Sequence, residues 1–429
     1  MKFVADLHIH SKYSRATSKQ MNLEDLDSWA DDKGILVMAT GDFLHGKYLK
    51  EIKGKLEPAE SGLFKLKKEY KKPTLRVTFS ETRFILSVEI SSIYSKGGKT
   101  RRIHNLVFMP SIESVEKLRN ELIKLGCNLD SDGRPIIGLD SEKLAEVVFN
   151  VDKNAVIIPA HAWTPWFSIF GSMSGFDSIE ECFGKYADKI FAIETGLSSD
   201  PVMNWKISGL DKVALISNSD SHSLPKIGRE ANIFDTELSY KGIMDAIKSG
   251  APIEREKRKG KSEKFVATIE FFPEEGKYHY DGHSNCKIVF SPKESKKHKN
   301  ICPVCGKSLI IGVMNRVEKL SDRKVSVKGK GNYHTLENRV PYYNLVQLDE
   351  IISEAIGVGS ASKKVKKEYE NLIKTFGSEL KILMDVSIEK IKSSANEKIA
   401  EGVKRVRAGN LKISPGYDGE YGTVEIFKK

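Results

Sequence analysis

Two histidines one residue apart, His8 and His10, follow the apolar run Phe3-Val4-Ala5. In an extended chain residues i and i+2 face the same side, so both imidazoles can serve one cation. Two ligands do not complete a coordination shell, and the chain offers others in matching places. Asp42 and His45 follow the run 35–40, Glu89 ends the run 84–90, and His161 follows 155–159. Glu194 follows 189–193, and Asp220 with His222 follows 213–217. Any one such residue is more often a cap or a surface group. Their recurrence past the same end of six apolar runs points to a multi-metal site.

His104 begins the run 103–109 instead of following it. Lys96-Gly97-Gly98-Lys99 reads as a tight hairpin turn. Centred on the two glycines, the hairpin pairs Ser91 with His104. Glu89, two residues from Ser91 on the same face, then becomes a diagonal neighbour of His104.

The elements that must hold these groups alternate. Helical segments are expected at 22–33, where Leu23, Leu26 and Ala30 share a face, at 112–125 with Ser111 as N-cap, and at 239–249. Strands alternating with helices predict an α/β domain with a largely parallel sheet. In barrels of that kind, function gathers at the strand ends.

With 429 residues the chain has room for two or three domains. No apolar run approaches the ~20 residues that span a bilayer, and the start lacks a secretory-signal pattern. A cytoplasmic protein away from membranes is expected. The net charge of +11 is unevenly placed, with 18 Lys+Arg against 9 Asp+Glu between residues 256 and 330. Such a basic stretch suits a polyanion, nucleic acid first. The same stretch holds Cys286, Cys302 and Cys305, whereas Cys127 and Cys182 are isolated and read as buried thiols. His283 and Cys286, then Cys302 and Cys305, give two knuckles with two-residue spacing that can aim four ligands at one structural zinc. His279 competes as the fourth ligand, with the spacing favouring His283. The charge run 254–261 reads as a domain boundary.

From residue 339 the apolar spacing turns helical, through Leu348, Ile351 and Ile352, then Val365, Tyr369 and Leu372, then Ile391, Ile399 and Val403. The Gly/Ser-rich turn 357–364 reads as a phosphate-holding loop or a plain connection. The turn-rich segment 408–422 is flanked by short strands. The loop 162–176 carries two Trp and three Phe beside His161. It reads as a lid or a base-stacking surface built on Trp163, Trp166 and Phe167. Ser172 and Ser174 are placed to read an extruded base, and Ser199, in the run past Glu194, is a further substrate-binding candidate.

The ligand order, His-x-His, Asp/His, Glu, His, His, Glu, Asp-x-His, resembles the PHP (polymerase and histidinol phosphatase) superfamily. The resemblance implies a (β/α)7 barrel that hydrolyses phosphoesters with two or three divalent ions. It implies one ion on His8, His10, Glu89 and Asp220, with Glu89 bridging to a second on His104 and His161, and a third near His45 and His222. Asp42 and Glu194 complete the candidate ligands. Arg15 stands after Ser14 where relatives carry an acid, and two residues separate Asp42 from His45 where relatives have them adjacent. Both departures fall on the third position. Arg15 is therefore expected on the substrate phosphate, with Glu89 and Asp220 at the centre of catalysis. The donors suit Zn²⁺, Mn²⁺ or Fe²⁺ better than Mg²⁺.

A barrel at 1–255, a zinc-binding basic module at 263–335 and a mainly helical domain at 336–429 is similar to the endonuclease Q family. Thr40-Gly41-Asp42-Phe43, the run from Glu194 to Asp200 and Pro-Gly-Tyr-Asp-Gly-Glu-Tyr-Gly at 415–422 carry the likeness. It implies a DNA repair endonuclease that cuts on the 5′ side of uracil, hypoxanthine, xanthine and abasic sites. Damaged duplex is the implied substrate; a sliding clamp as a further partner and a monomeric state are expectations beside it. Two other readings compete. A small-molecule phosphatase leaves roughly 170 C-terminal residues without a role. A non-catalytic helicase partner does not need so full a ligand set.

Overall fold

The computed structural model describes residues 1–75, 81–257 and 264–427. The strand Lys2–Asp6 pairs in parallel with Val37–Ala39 and antiparallel with Ala231–Asp235. Val37–Ala39 pairs in parallel with the start of Arg83–Lys96. That long strand turns back into Lys99–Met109 through Gly97 and Gly98, both at positive φ (63° and 70°). Type I′ turns demand such angles and L side chains resist them. The hairpin register sets Ser91 opposite His104, the pairing expected from the glycines. Lys99–Met109 then pairs antiparallel with Val156–Pro159.

Ala192–Glu194 and Ala214–Ile216 form a separate parallel pair. Backbone hydrogen bonds just past the strand ends tie this pair to the segments that follow Val156–Pro159 and Lys2–Asp6. Ala162 N donates to Glu194 O (2.9 Å) and His10 N donates to Ser221 O (2.9 Å). The fold is α/β, but its sheet is mixed where a largely parallel one was expected. The glycine hairpin reverses the chain, and Ala231–Asp235, which the apolar pattern did not reveal, enters antiparallel.

The helices end where their caps dictate. Leu23–Lys33 starts with the Asn22 side chain accepting from Asp25 N, and stops at Gly34 with φ 88°. Ile112–Lys124 is capped by Ser111 and Tyr240–Ser249 by Ser239. Each cap satisfies an N–H that the helix itself leaves open.

The charge run 254–261, read as a boundary, lies partly outside the described residues. The sheet continues past it. Phe265–Glu270 pairs antiparallel with Ala231–Asp235 and parallel with Tyr342–Asn344. Strands from all three expected domains therefore share one hydrogen-bonded sheet. Between them, Asp281–His283 and Ile288–Phe290 form a small hairpin. The end of the chain is helical, through Leu348–Ile356, Lys363–Phe376, Glu379–Met384, Ile388–Ser394 and Glu397–Ala408. Leu348, Ile351, Leu372, Ile391, Ile399 and Val403 are fully buried among them, each worth ~1.5–3 kcal/mol. Lys33, the last residue of the helix Leu23–Lys33, ties this layer to the N-terminal part of the chain. Its side chain is 2% exposed, and its ammonium reaches Glu379 (2.7 Å) and Pro225 O (2.8 Å). Among the described residues no helix is long and apolar enough to cross a membrane.

Candidate metal centre

Ile9 bridges to Ser221 and keeps the chain extended past Asp6, so His8 and His10 project to one side. Their ring centroids lie 5.4 Å apart. The ligand atoms of His8, His10, Glu89 and Asp220 fall within 4.8 Å of one another, and those of Glu89, His104 and His161 do the same. Glu89 belongs to both groups. One oxygen, Oε2, lies 3.1 Å from His10 Nε2. The other, Oε1, lies 2.6 Å from His104 Nδ1 and 2.9 Å from His161 Nε2. Asp220 Oδ1 lies 3.2 Å from His10 Nε2 and 3.5 Å from His8 Nε2.

These groups fit divalent cations. His8 Nε2, His10 Nε2 and Asp220 Oδ1 are buried and make no hydrogen bond, a cost that a shared cation removes. The other nitrogen of each imidazole is occupied. His8 Nδ1 donates to Glu194 (3.0 Å) and His10 Nδ1 to Asp42 (3.2 Å). His104 Nε2 meets Ser91 Oγ at 3.1 Å, and His161 Nδ1 meets Thr164 Oγ1 at 3.3 Å. Metal-binding imidazoles are held in this way, with one nitrogen free and the other fixed by a partner. Asp42, His161 and Asp220 all have positive φ, a strain that non-glycine residues retain where position matters.

Charge follows the same plan. Burial disfavours the ionised carboxylates, but His104 and Arg134 hold Glu89 well below the usual range. His8 and His10 do the same for Asp220. Burial lowers the two imidazoles, yet Glu194 and Asp220 around His8, and Asp220, Asp42 and Glu89 around His10, lift both above their ordinary value. His104 is pushed down to about 4 by burial despite Glu89, leaving it neutral and able to ligate. The carboxylates demand positive charge, which protons or cations can supply.

Several expected positions fall elsewhere. Glu194 and Asp42 face the outer nitrogens of His8 and His10 and are saturated by other donors. Glu194 accepts from His161 N (2.7 Å) and Asn218 Nδ2 (2.8 Å). Asp42 accepts from Ser11 N, Ser11 Oγ and Ser14 Oγ. His45 is the N-cap of the helix Gly46–Lys55 and stacks on Tyr13 at 4.5 Å. His222 packs 4.4 Å from His10, and its Nδ1 meets Asp220 O. Among the described residues neither joins a group of close ligands, so the third set is not assembled. Arg15 points outward, 74% exposed, and pairs with Asp132.

Its place beside the carboxylates is taken by Arg134, which sequence reasoning missed. Arg134 Nη1 lies 3.0 Å from Glu89 Oε2, and the side chain is 28% exposed. The loop reaches in because Gly133 stands where a Cβ would lie 2.4 Å from Asp42 Oδ2.

In the aromatic loop, Trp163 is core, its Nε1 donating to Asn204 (2.7 Å). Ser174 Oγ donates to Arg102 O and Ser199 Oγ to Thr195 O. These three are committed to packing and cannot read a base. Phe167 lies over His104, with centroids 4.8 Å apart. Trp166 is half-buried, and Ser172 Oγ is buried with no hydrogen-bond partner.

A second cluster stands apart. One ligand atom each from His283, Cys286, Cys302 and Cys305 lies within 4.8 Å of the others. Gly306, at φ 73°, lets the chain turn tightly behind the second knuckle. His279 is separate, buried and pushed down to about 4 by that burial, so the geometry selects His283.

Glu194→Gln keeps the shape but gives His8 Nδ1 a weaker acceptor. Losing such a partner costs ~10–100-fold in metal affinity. Competition against a chelator should show that weakening for the barrel ions, with the cysteine-bound ion unaffected. Unchanged affinity would contradict the orienting role.

Residues 347–410 match the family described as the MJ0043 C-terminal domain. The chain is 35% identical over 329 residues to the uncharacterized protein MJ0043 of Methanocaldococcus jannaschii, covering 73% of this chain and 39% of that protein. It therefore spans well under half of that relative's length. The crystal structure of the lesion-specific endonuclease PfuEndoQ from Pyrococcus furiosus is similar at TM-score 0.82 and 31% identity, covering 99% of this chain and 96% of that one. Endonuclease Q in complex with a 27-mer duplex bearing an abasic lesion at the active site is similar at TM-score 0.81 and 31% identity, covering 99% and 97%. Likeness of this extent takes in the ligand groups, the cysteine module and the helical end together, and the chain belongs to the endonuclease Q family.

Proposed function

We propose that this chain is a metal-dependent DNA repair endonuclease that hydrolyses the phosphodiester on the 5′ side of deaminated bases (uracil, hypoxanthine, xanthine) and abasic sites. One observation carries the reading. The Glu89 carboxylate lies between two facing ligand groups, in a family with a member seen with an abasic duplex at its active site. His8, His10, Glu89 and Asp220 would hold one cation and Glu89, His104 and His161 a second, of zinc, manganese or iron by donor type. Bound there, such cations neutralise phosphate charge and acidify water.

The rest falls to the chain's own residues. Glu194, Asp42, Ser91 and Thr164 keep each imidazole in one tautomer and orientation. Arg134, half-open to solvent beside Glu89, binds a non-bridging phosphate oxygen through its planar guanidinium, the role first assigned to Arg15. Phe167 shields His104 from water. The seven strands from Lys2–Asp6 to Ala214–Ile216 that carry or flank these residues, with the hydrogen bonds just past their ends, support a seven-stranded barrel within residues 1–255. The zinc-bearing basic segment 263–335 and the helical segment 336–429 grip the duplex. Extruding a poorly paired deaminated base costs less than extruding a normal one.

Metal depletion and add-back tests the reading. Chelator-stripped protein should not nick a uracil duplex, and Mn²⁺ or Zn²⁺ should restore nicking while p-nitrophenyl phosphate stays near background. Full nicking in chelator, or turnover of the monoester alone, would overturn it.

A further inference from the structure

The metal centre leaves the run 415–422 without a role. It folds as a clasp on the segment 274–280. Gly416 N donates to Glu274 O (2.7 Å), Gly422 N to Glu275 O (3.1 Å) and Gly419 N to Lys277 O (3.0 Å). A Cβ on Gly416 would lie 2.4 Å from Gly276 O, and one on Gly422 2.1 Å from Glu274 O. The glycines are there because two backbones approach that closely.

The clasped segment reaches the metal centre. A Cβ on Gly276 would touch Leu197 O at 3.5 Å, in the loop just past Glu194. Tyr278 meets Trp166 edge to face, with centroids 5.5 Å apart. The Trp166 carbonyl accepts from Thr164 Oγ1 (2.8 Å), the hydroxyl that also faces His161. On the outer side, Tyr421 is 72% exposed and Lys277 Nζ lies 4.4 Å from its ring centroid. Packing accounts for little of a ring so exposed. The clasp thus holds two aromatic contacts, Trp166 with Tyr278 and Tyr421 with Lys277, and its inner end lies beside a candidate ligand.

We propose that Trp166, Tyr278 and Tyr421, with Lys277, form a stacking surface for a nucleobase of the DNA that loses its stacking neighbour beside the metal centre. The proposal rests on the endonuclease reading. Aromatic faces stack any base, and a neighbouring cation serves the phosphate. Extruding one nucleotide leaves both a flanking and an opposing base without full stacking. A purely apolar protein partner would gain nothing from Lys277, which holds its charge over the ring.

Nicking kinetics on a uracil duplex test this. Tyr421→Ala and Trp166→Ala should each raise KM ~10-fold, the order expected for one lost stack, with the change carried by KM and not kcat. Tyr421→Phe should restore the wild-type value. A spacer without a base, placed in turn at the flanking and opposing positions and followed only through the end-labelled fragment nicked at the uracil, should raise the wild-type KM at one of them. At that position it should add nothing in Tyr421→Ala, which tells the two strands apart. Wild-type KM in Tyr421→Ala, or spacer effects that simply multiply at both positions, would overturn the surface while leaving the endonuclease reading intact. Failure of the wild-type protein to nick would overturn the reading and the surface with it.

Discussion

Asp220→Asn is expected to abolish nicking while the fold survives. The substitution is isosteric, but it puts an amide where Oδ1 faces His8 Nε2 and His10 Nε2 at 3.5 and 3.2 Å. An amide is a poor ligand, and its N–H₂ presents donors to a site that needs acceptors. Metal catalysis is worth several kcal/mol of transition-state stabilisation, and each ~1.4 kcal/mol is a factor of ten. The expected loss is ~10³-fold in kcat or more. Metal analysis should show at least one ion lost per chain, with the cysteine-bound ion retained. Thermal stability should hold or fall slightly, because the carboxylate removed is one that His8 and His10 stabilise in its ionised form. Near wild-type nicking would contradict the assignment.

Cys302→Ser carries the second large effect. Cys302 is fully buried, and a serine hydroxyl is a far weaker zinc ligand than a thiolate. A structural zinc contributes ~10–16 kcal/mol of apparent binding free energy to folding. The expected result is one zinc lost per chain, exposure of the segment between residues 281 and 312 to protease, and loss of duplex affinity. The damage should spread along the chain. Ile310 pairs with Gly282 and leads into the helix Val313–Leu320, which carries Arg316. The Arg316 guanidinium is buried and donates to Phe170 O (2.9 Å), Phe176 O (2.8 Å) and Asp177 (2.6 Å). It therefore pins the loop whose Phe167 covers His104. Nicking should fall together with affinity, while the barrel ions stay bound. Loss of the barrel ions in this variant would show that the two sites are not separate.

The parts legible in the sequence share a local cause. His-x-His, the paired glycines and the two-residue cysteine spacing each encode geometry within a few residues. So do the helical stripes and the serine caps. From the glycine pair alone the register that brings His104 to Glu89 follows. What was not legible depends on geometry between distant segments. Asp42 and Glu194 have the chemistry of ligands. Whether such a carboxylate binds the cation or the far nitrogen of an imidazole is decided by a few ångströms of tertiary placement. Arg134 sits in a loop with no periodicity, and the only hint was Gly133 beside it. Trp163, Ser174 and Ser199 were read from their place after strand ends, yet side-chain direction sends all three into packing. The boundary near residue 255 was read from composition, which says nothing about hydrogen bonding between Phe265–Glu270 and Ala231–Asp235.

The most direct test of the central claim compares three end-labelled duplexes that differ at one position, carrying uracil, hypoxanthine or the normal base, incubated with metal-loaded protein. The account predicts a single nick on the 5′ side of the lesion in the first two and an intact third. Equal cutting of all three, or retention of the damaged duplexes without a nick, would contradict it.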